Sequence, residues 1–395
     1  MKKIKLKDCG TILTGNTPSK KVEEFYSSND INFFTPGDFS ENRLNWLNKS
    51  NNYISVIAKD KARIIPSGSL LVTCIGTIGK VGINDKECAF NQQINAIIPN
   101  ESIINKKYLA YWFIANSKYL QEKANAPVVP ILNKTDFENI EIDIVDLEEQ
   151  NNIVEKIEKI QNLIITNEKQ IELLDELIKA KFTEMFGTPI TNSKNWDKKH
   201  LKELTETIVN GNTPKGGDKV YVDEGIMFFR SQNVWKNRLE MDNIAYIDID
   251  THNKMKKSSL KHNDILITKT GRINTENSSL GRTAIYTGED DKANINGHVY
   301  LVRLKKNIIN HEFVLFILTS DEYREHIRNV CVGGIDKRQL NKDHIENFPI
   351  IIPPIELQED FAKIVKKIEK QKIMYEENLK SLEELNEKLM NKYFN

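Results

Sequence analysis

The stretch "TGNTPSK", Thr14 to Lys20, returns near the middle of the chain as "NGNTPKG", Asn210 to Gly216. Its surroundings return with it. "INFFTPGDFSENRL" (Ile31 to Leu44) meets "IMFFRSQNVWKNRL" (Ile226 to Leu239), keeping the paired phenylalanines and the closing Asn-Arg-Leu at one offset, 226 − 31 = 195. "LLVTCIG" (Leu70 to Gly76) meets "ILITKTG" (Ile265 to Gly271) at the same offset. "LNKTDFENIEIDI" (Leu132 to Ile144) meets "LNKDHIENFPIII" (Leu340 to Ile352) at 340 − 132 = 208. The chain therefore reads as a tandem duplication. The extra 208 − 195 = 13 residues of the second copy are expected around "TKTGRINTENSSLGRT".

Each globular half shows short strand-like runs between Gly, Pro and Asn: "INFF", "SLLVTCIG" and "INAIIP" first, then "IMFF", "DILITKTG" and "HVYLVRL". A helical pattern follows in each, Asn105 to Gln121 and Asn310 to Val330. These patterns predict two α/β (α+β) domains in tandem, with no indication of strand order. In Gly-Asn-Thr-Pro, Gly permits a bend and the residue before Pro favours extended backbone, which suits a shared scaffold.

After each half comes a stretch of another character. From Asp146 to Met185 there is no Pro or Gly, and apolar residues step by four and three through Ile153, Ile157, Ile160, Ile164, Ile171, Leu174 and Ile178. Shifting by 208 gives Phe361, Val365, Ile368, Leu379, Leu382 and Leu389. This is a heptad seam, interrupted by Asn167, Lys372 and Asn386, which suit register-setting positions. Asp146 can cap the first helix, Pro354 is tolerated at the start of the second, and Gly187 with Pro189 stops the first. Each helix reaches about 60 Å at roughly 1.5 Å per residue. The apolar seam needs a facing surface: the other helix of the chain, its own globular half, or another chain. The domain boundaries follow as 1–145, 146–186, 187–354 and 355–395.

Composition narrows the class. Hydrophobic content of 39% is ordinary for a globular protein. No apolar run reaches the ~18 residues of a membrane helix, and "MKKIKLKDCG" has no apolar signal region. Cys9, Cys74, Cys88 and Cys331 form no CxxC pair, so a disulfide framework or zinc site is not expected and a reducing, cytoplasmic setting is. All seven histidines follow residue 199 without ligand-like spacing. Net charge is zero, but basic residues outnumber acidic ones 18 to 15 in 1–145 and 25 to 22 in 187–354, while 146–186 carries 5 against 10. Such globular parts permit phosphate contact.

If the halves read different targets, matched residues are frame and mismatched ones are readers. "TPGD" from Thr35 lies opposite "RSQN" from Arg230. Arg230, Gln232 and Asn233 have side chains suited to base edges. Lys269, Arg272, Arg282, Lys337 and Arg338 add donors in Gly-flanked loops, with Thr77, Lys80, Gln92, Gln93 and Lys134 as weaker counterparts. Arg43 and Arg238, inside the repeated Asn-Arg-Leu, are candidate phosphate contacts. Each also suits a solvated surface.

In its layout the chain resembles the specificity subunits of Type I restriction–modification systems. The likeness rests on the paired "GNTP", on "LNK...EN" before each helix, and on "DLEEQNNIVEKIEKI" and "PPIELQEDFAKIVKKIE" opening the helices. "FGTPITNSKNW" between the halves adds to it. The resemblance implies two target-recognition domains separated by two long antiparallel coiled-coil helices in a pseudo-two-fold arrangement. Each domain then reads one part of a bipartite double-stranded DNA sequence, and the helices set the spacing and dock two methyltransferase subunits. It further implies that S-adenosylmethionine is bound by those partners, and ATP and Mg by any restriction subunit that joins. No cofactor or metal is expected on this chain. Asp146 departs from the proline expected before the first helix, and its capping ability offsets the change.

Catalysis by the chain itself lacks its motifs. A methyltransferase needs Asn/Asp-Pro-Pro-aromatic, whereas the only Pro-Pro follows Ile352, and "GTIGKVG" (Gly76 to Gly82) is no phosphate-binding loop. The remaining alternative is a stand-alone DNA-binding scaffold that homodimerises through its helices.

Overall fold

The computed structural model describes residues 2–394 except 125–128, 274, 276, 306 and 335. The chain divides into two compact units, residues 1–170 with 375–395, and residues 171–374. Both long helices, Leu147–Phe186 and Ile355–Phe394, contribute to both units.

In the first unit, a five-stranded sheet runs Gly10–Thr14, Ile94–Pro99, Leu70–Thr73, Val81–Asn84, Leu44–Leu47. Its last pair is parallel and the others antiparallel. A smaller sheet orders Tyr53–Ile54, Ile31–Phe34, Cys88–Phe90 and Ile64–Ile65. Strands Lys2–Lys5 and Glu141–Ile144 pair antiparallel. Leu70–Thr73 is buried at every position, as the apolar run Leu70, Leu71 and Val72 on its two faces demands.

The second unit repeats this layout. Its four-stranded sheet runs Thr205–Asn210, Val299–Leu304, Ile265–Thr268, Thr283–Ile285, and a second runs Tyr221–Val222, Ala245–Ile247, Ile226–Phe229, Ala293–Ile295. Lys198–His200 pairs with Pro349–Ile351. Register locates the insertions. Val72 faces Val81 and Ile267 faces Thr283, so the offset moves from 267 − 72 = 195 to 283 − 81 = 202. It reaches 299 − 94 = 205 at the next strands and 340 − 132 = 208 at the "LNK" segments. The "TKTGRINTENSSLGRT" loop thus holds seven of the 13 extra residues, 202 − 195, rather than all of them.

The repeated words now have causes. A Cβ on Gly15 would lie 2.2 Å from Asn91 O, and one on Gly211 would lie 2.1 Å from Asn296 O. Neither glycine has positive φ, so close backbone approach, not a sharp bend, requires it. Asn42 and Asn237 of the two Asn-Arg-Leu segments both sit at left-handed φ, 56° and 63°, which asparagine tolerates. The paired phenylalanines are core, at most 5% exposed.

Each domain is tied to a helix start by a buried glutamine. Gln150 donates to Val145 O (2.8 Å) and Ile103 O (3.1 Å) and accepts from Asn105 N (2.8 Å). Gln358 donates to Pro353 O (2.8 Å) and accepts from Asn310 N (3.0 Å). Asn105 and Asn310 cap the short helices Lys106–Ala115 and His311–Thr319. The helical patterns beyond each break at one residue: second short helices span Ser117–Lys123 and Asp321–Val330, the latter capped by Ser320.

Within each unit the start of one long helix packs with the end of the other, which makes the pairing antiparallel. In the first, Ile153, Val154 and Ile157 share a core with Met390, Phe394 and Tyr108. In the second, Phe182 and Phe186 meet Phe361, Phe313 and Phe316, ring centroids 4.6–5.8 Å apart. Of the expected seam, Ile153, Ile157, Ile178, Phe361 and Ile368 are buried; Ile160, Ile164, Ile171, Leu174, Val365, Leu379, Leu382 and Leu389 are half-buried. Asn167 accepts from Asn378 at 3.0 Å in the first unit, and Lys372 pairs with Asp175 at 2.7 Å in the second. Asp146 Oδ1 accepts from Glu149 N (2.9 Å) at the start of the first helix. Gly187 ends that helix at φ 74°, and the Trp196 indole donates to Phe186 O (3.0 Å).

Candidate nucleic-acid interface

One small structure occurs in both domains with the same hydrogen bonds. In the first, Ile75 pairs antiparallel with Ile131, Leu132 N donates to Cys74 O (2.9 Å), and Cys74 N donates to Gln93 O (2.8 Å). Gln93 N in turn donates to Asn91 Oδ1 (3.1 Å). In the second, Thr270 pairs with Gln339 and Leu340 N donates to Lys269 O (2.9 Å). Lys269 N donates to His298 O (2.8 Å), and His298 N to Asn296 Oδ1 (3.0 Å). Backbone alone makes most of this frame, so side chains on it are free to differ.

They differ in kind. Val129, Pro130 and Ile131 of the first domain stand where Lys337, Arg338 and Gln339 stand in the second, and Cys74 and Thr77 stand where Lys269 and Arg272 do. Val129 and Ile131 are 45% and 39% exposed, and Val332, paired with Gln339 in the second domain, is 42% exposed. In the second domain, Arg272 and Lys337 line a cleft of about 350 Å³ with Thr270, Ser279 and Asp336.

The other expected readers divide into those held by their own fold and those facing solvent. Thr35 N and Oγ1 both donate to Asp38 Oδ2 (2.7 and 3.0 Å). Asn233, the counterpart of Asp38, is fully buried, accepting from Arg230 N (3.1 Å) and donating to Glu240 O (3.1 Å). A role for Asn233 at a base edge is corrected: its amide secures the local turn. Arg230 lies over the Tyr221 ring at 5.6 Å and donates to Asn243 O. Arg338 is half-buried, donating to Cys331 O at 3.3 Å. Lys80 reaches Phe39 O (3.1 Å), and exposed Lys134 pairs with Glu138 (3.3 Å) on the short helix Lys134–Glu138. Exposed Gln92 accepts from Thr17 Oγ1 (2.7 Å), Gln93 accepts from Asn91 Nδ2 (2.8 Å), and exposed Arg43 donates to Ser40 Oγ (2.9 Å). Thr77 is exposed, and Lys269 lies 5.8 Å over the Tyr300 ring.

Three of them converge on a residue that a search for donors passes over. Two guanidinium groups meet the Trp235 ring, Arg282 at 3.8 Å from its centroid and Arg238 at 5.6 Å. Its indole donates to the carbonyl of exposed Gln232 (3.1 Å). Arg282 is further held by Ser278 O (3.0 Å), and burial pushes its pKa down, while Arg238 keeps an ion pair with Glu240. Stacked guanidinium groups of this kind are pre-organised for acceptors on phosphate or base edges. The mismatch of Trp235 with Ser40 at the 195 offset was the available signal.

Burial pushes the Cys9, Cys74 and Cys88 thiols up to about 12, which leaves them protonated and unreactive. No group of three His, Cys, Asp or Glu among the described residues could hold a metal ion, and no described helix is long and apolar enough to cross a membrane.

The chain is similar to known proteins along its whole length. It is 24% identical to the Type I restriction enzyme MjaIX specificity subunit of Methanocaldococcus jannaschii, over 98% of this chain and 91% of that one. It is 23% identical to the MjaVIII specificity subunit of the same organism, over 80% and 74%. The solved Type I restriction–modification S subunit from M. genitalium shares the fold at TM-score 0.59 and 15% identity, covering 100% of this chain and 96% of that one. The family model for the Type I restriction modification DNA specificity domain matches twice, at residues 1–176 and 193–386, one match per repeat. The chain therefore belongs to the Type I restriction modification DNA specificity domain family.

Proposed function

We propose that this chain is the DNA-specificity subunit of a Type I restriction–modification complex, in which each domain reads one part of a bipartite target. The observation that carries this reading is the strand-pair frame, kept in both domains while uncharged Thr77 and Val129 of the first give way to Arg272 and Lys337 in the second. A duplicated frame with exchanged contents is what two readers of different sequences require. The residues proposed to meet DNA are Thr77, Gln92 and Gln93 in the first domain, and Gln232, Arg238, Lys269, Arg272, Arg282, Lys337 and Arg338 in the second. Arg43, Lys80 and Lys134 are assigned to backbone contact. Thr35 and Arg230, held by local bonds, position the loops they start.

The paired helices act as spacer between the readers, which must meet the groove in phase on a duplex advancing ~34–36 Å per turn. Two methyltransferase subunits dock on this chain and bind S-adenosylmethionine themselves; a restriction subunit, where one joins, brings ATP and Mg. The chain supplies address and no catalysis. Co-expression with a partner methyltransferase and mapping of modified adenines across a genome tests this. A split motif with a constant gap is expected; modification without a split motif overturns the reading.

A further inference from the structure

From the two copies of the strand-pair frame, we infer that the domains discriminate bases by opposite chemistry: the first by apolar contact with a thymine C5-methyl, the second by cationic contact with guanine. This rests on the proposed reading of DNA by both domains. In the first domain the exposed side chains on the frame are Val129, Pro130, Ile131 and Thr77, and none carries charge. Gly76 between them has φ 79°, and a Cβ there would meet nothing within 4 Å, so the backbone itself is open to an approaching base edge. The thymine methyl is the one apolar group that base pairs present in the major groove. Gln93 is bonded into the same frame with its Oε1 accepting from Asn91 Nδ2, which leaves its amide nitrogen to donate to the adenine N7 of that pair.

In the second domain Arg272 and Lys337 occupy the equivalent positions of Thr77 and Val129 and line one cleft. Their donors match the adjacent O6 and N7 acceptors of guanine, and among the described residues no aliphatic side chain lines that cleft. The same backbone frame therefore delivers opposite selectivity through the exchange of a few side chains.

The test uses the unaltered chain assembled with its methyltransferase partner, after the split motif is mapped. Each thymine of the two half-sites is replaced singly by deoxyuridine, which lacks only the methyl, and each guanine singly by 7-deazaguanine, which lacks only N7. Deoxyuridine should lower affinity about tenfold at one or more positions of one half-site, and 7-deazaguanine by a similar factor in the other. Losses from deoxyuridine in both half-sites or in neither overturn the inference while leaving bipartite reading intact. Exchange of Val129→Lys with Ile131→Gln should then change the motif only in the deoxyuridine-sensitive half. A change in the other half, or in none while the complex still assembles and methylates, also overturns it. Absence of any split motif is instead the failure of the underlying reading.

Discussion

The two units hold the long helices by a matched pair of glutamine hydrogen bonds and by different fillings. In both, a buried glutamine reads only backbone, joining the helix start to the cap of a short helix. Around it, the first unit packs Ile153, Met390, Tyr108 and Phe394, whereas the second packs Phe361, Phe182, Phe313 and Phe186 at the matching positions. Polar frame is therefore constant and apolar volume is adjustable. This follows from physics: a buried donor has few permitted partners, but a core accepts any set of side chains that fills the space.

The comparison can be broken most strongly at the aromatic side. Phe182→Ala should cost about 3–5 kcal/mol, since it empties a cluster of stacked rings, while Met390→Ala at the equivalent position should cost about 2 kcal/mol. Urea denaturation of both variants checks the difference, and equal losses contradict it. Next come the pins. Gln150→Leu and Gln358→Leu should each cost about 2–4 kcal/mol, because each strands a buried amide N–H and at least one carbonyl. Here the units should agree, and a loss in one variant alone would show that the frame is not shared.

The polar seam residues should behave oppositely. Asn167→Leu is expected to stabilise by about 1 kcal/mol while loosening helix register, since a lone polar pair gives specificity at a cost in stability. Thermal melting gives the first effect, and cysteine cross-linking across the helix pair gives the second.

The smallest effect concerns acid. All seven histidines lie after residue 199, and burial pushes His252, His311 and His326 of the second unit down. A depressed pKa means the folded form binds fewer protons than the unfolded one. Stability is thus retained above the ordinary histidine range and falls as pH drops through about 6.5 toward the depressed values. Hydrogen exchange at pH 7.5 and pH 5.8, corrected for intrinsic rates, should show the second unit loosening and the first unchanged. Equal loosening would place the cause outside these imidazoles.

The duplication, the long helices and the strand runs were legible because they depend on local pattern: paired phenylalanines, four-three spacing, Gly and Pro at the ends. Strand order was not, since partners such as Lys2–Lys5 and Glu141–Ile144 lie far apart and share no mark. The site was legible by residue type and obscure by direction. Asn233 carries the same amide whether it faces a base or its own turn, and only burial separates the two. Ile131 was invisible to a search for donors, because its meaning comes from standing where Gln339 stands.

The closure of the first long helix by Trp196 has a practical consequence. An indole fixed on the terminal carbonyl of that helix, one of only four tryptophans in the chain, is a built-in optical gauge of its last turn. With Trp46, Trp112 and Trp235 replaced by phenylalanine, the emission of this single fluorophore would report, in real time, whether the rod frays or tightens when a candidate partner is added.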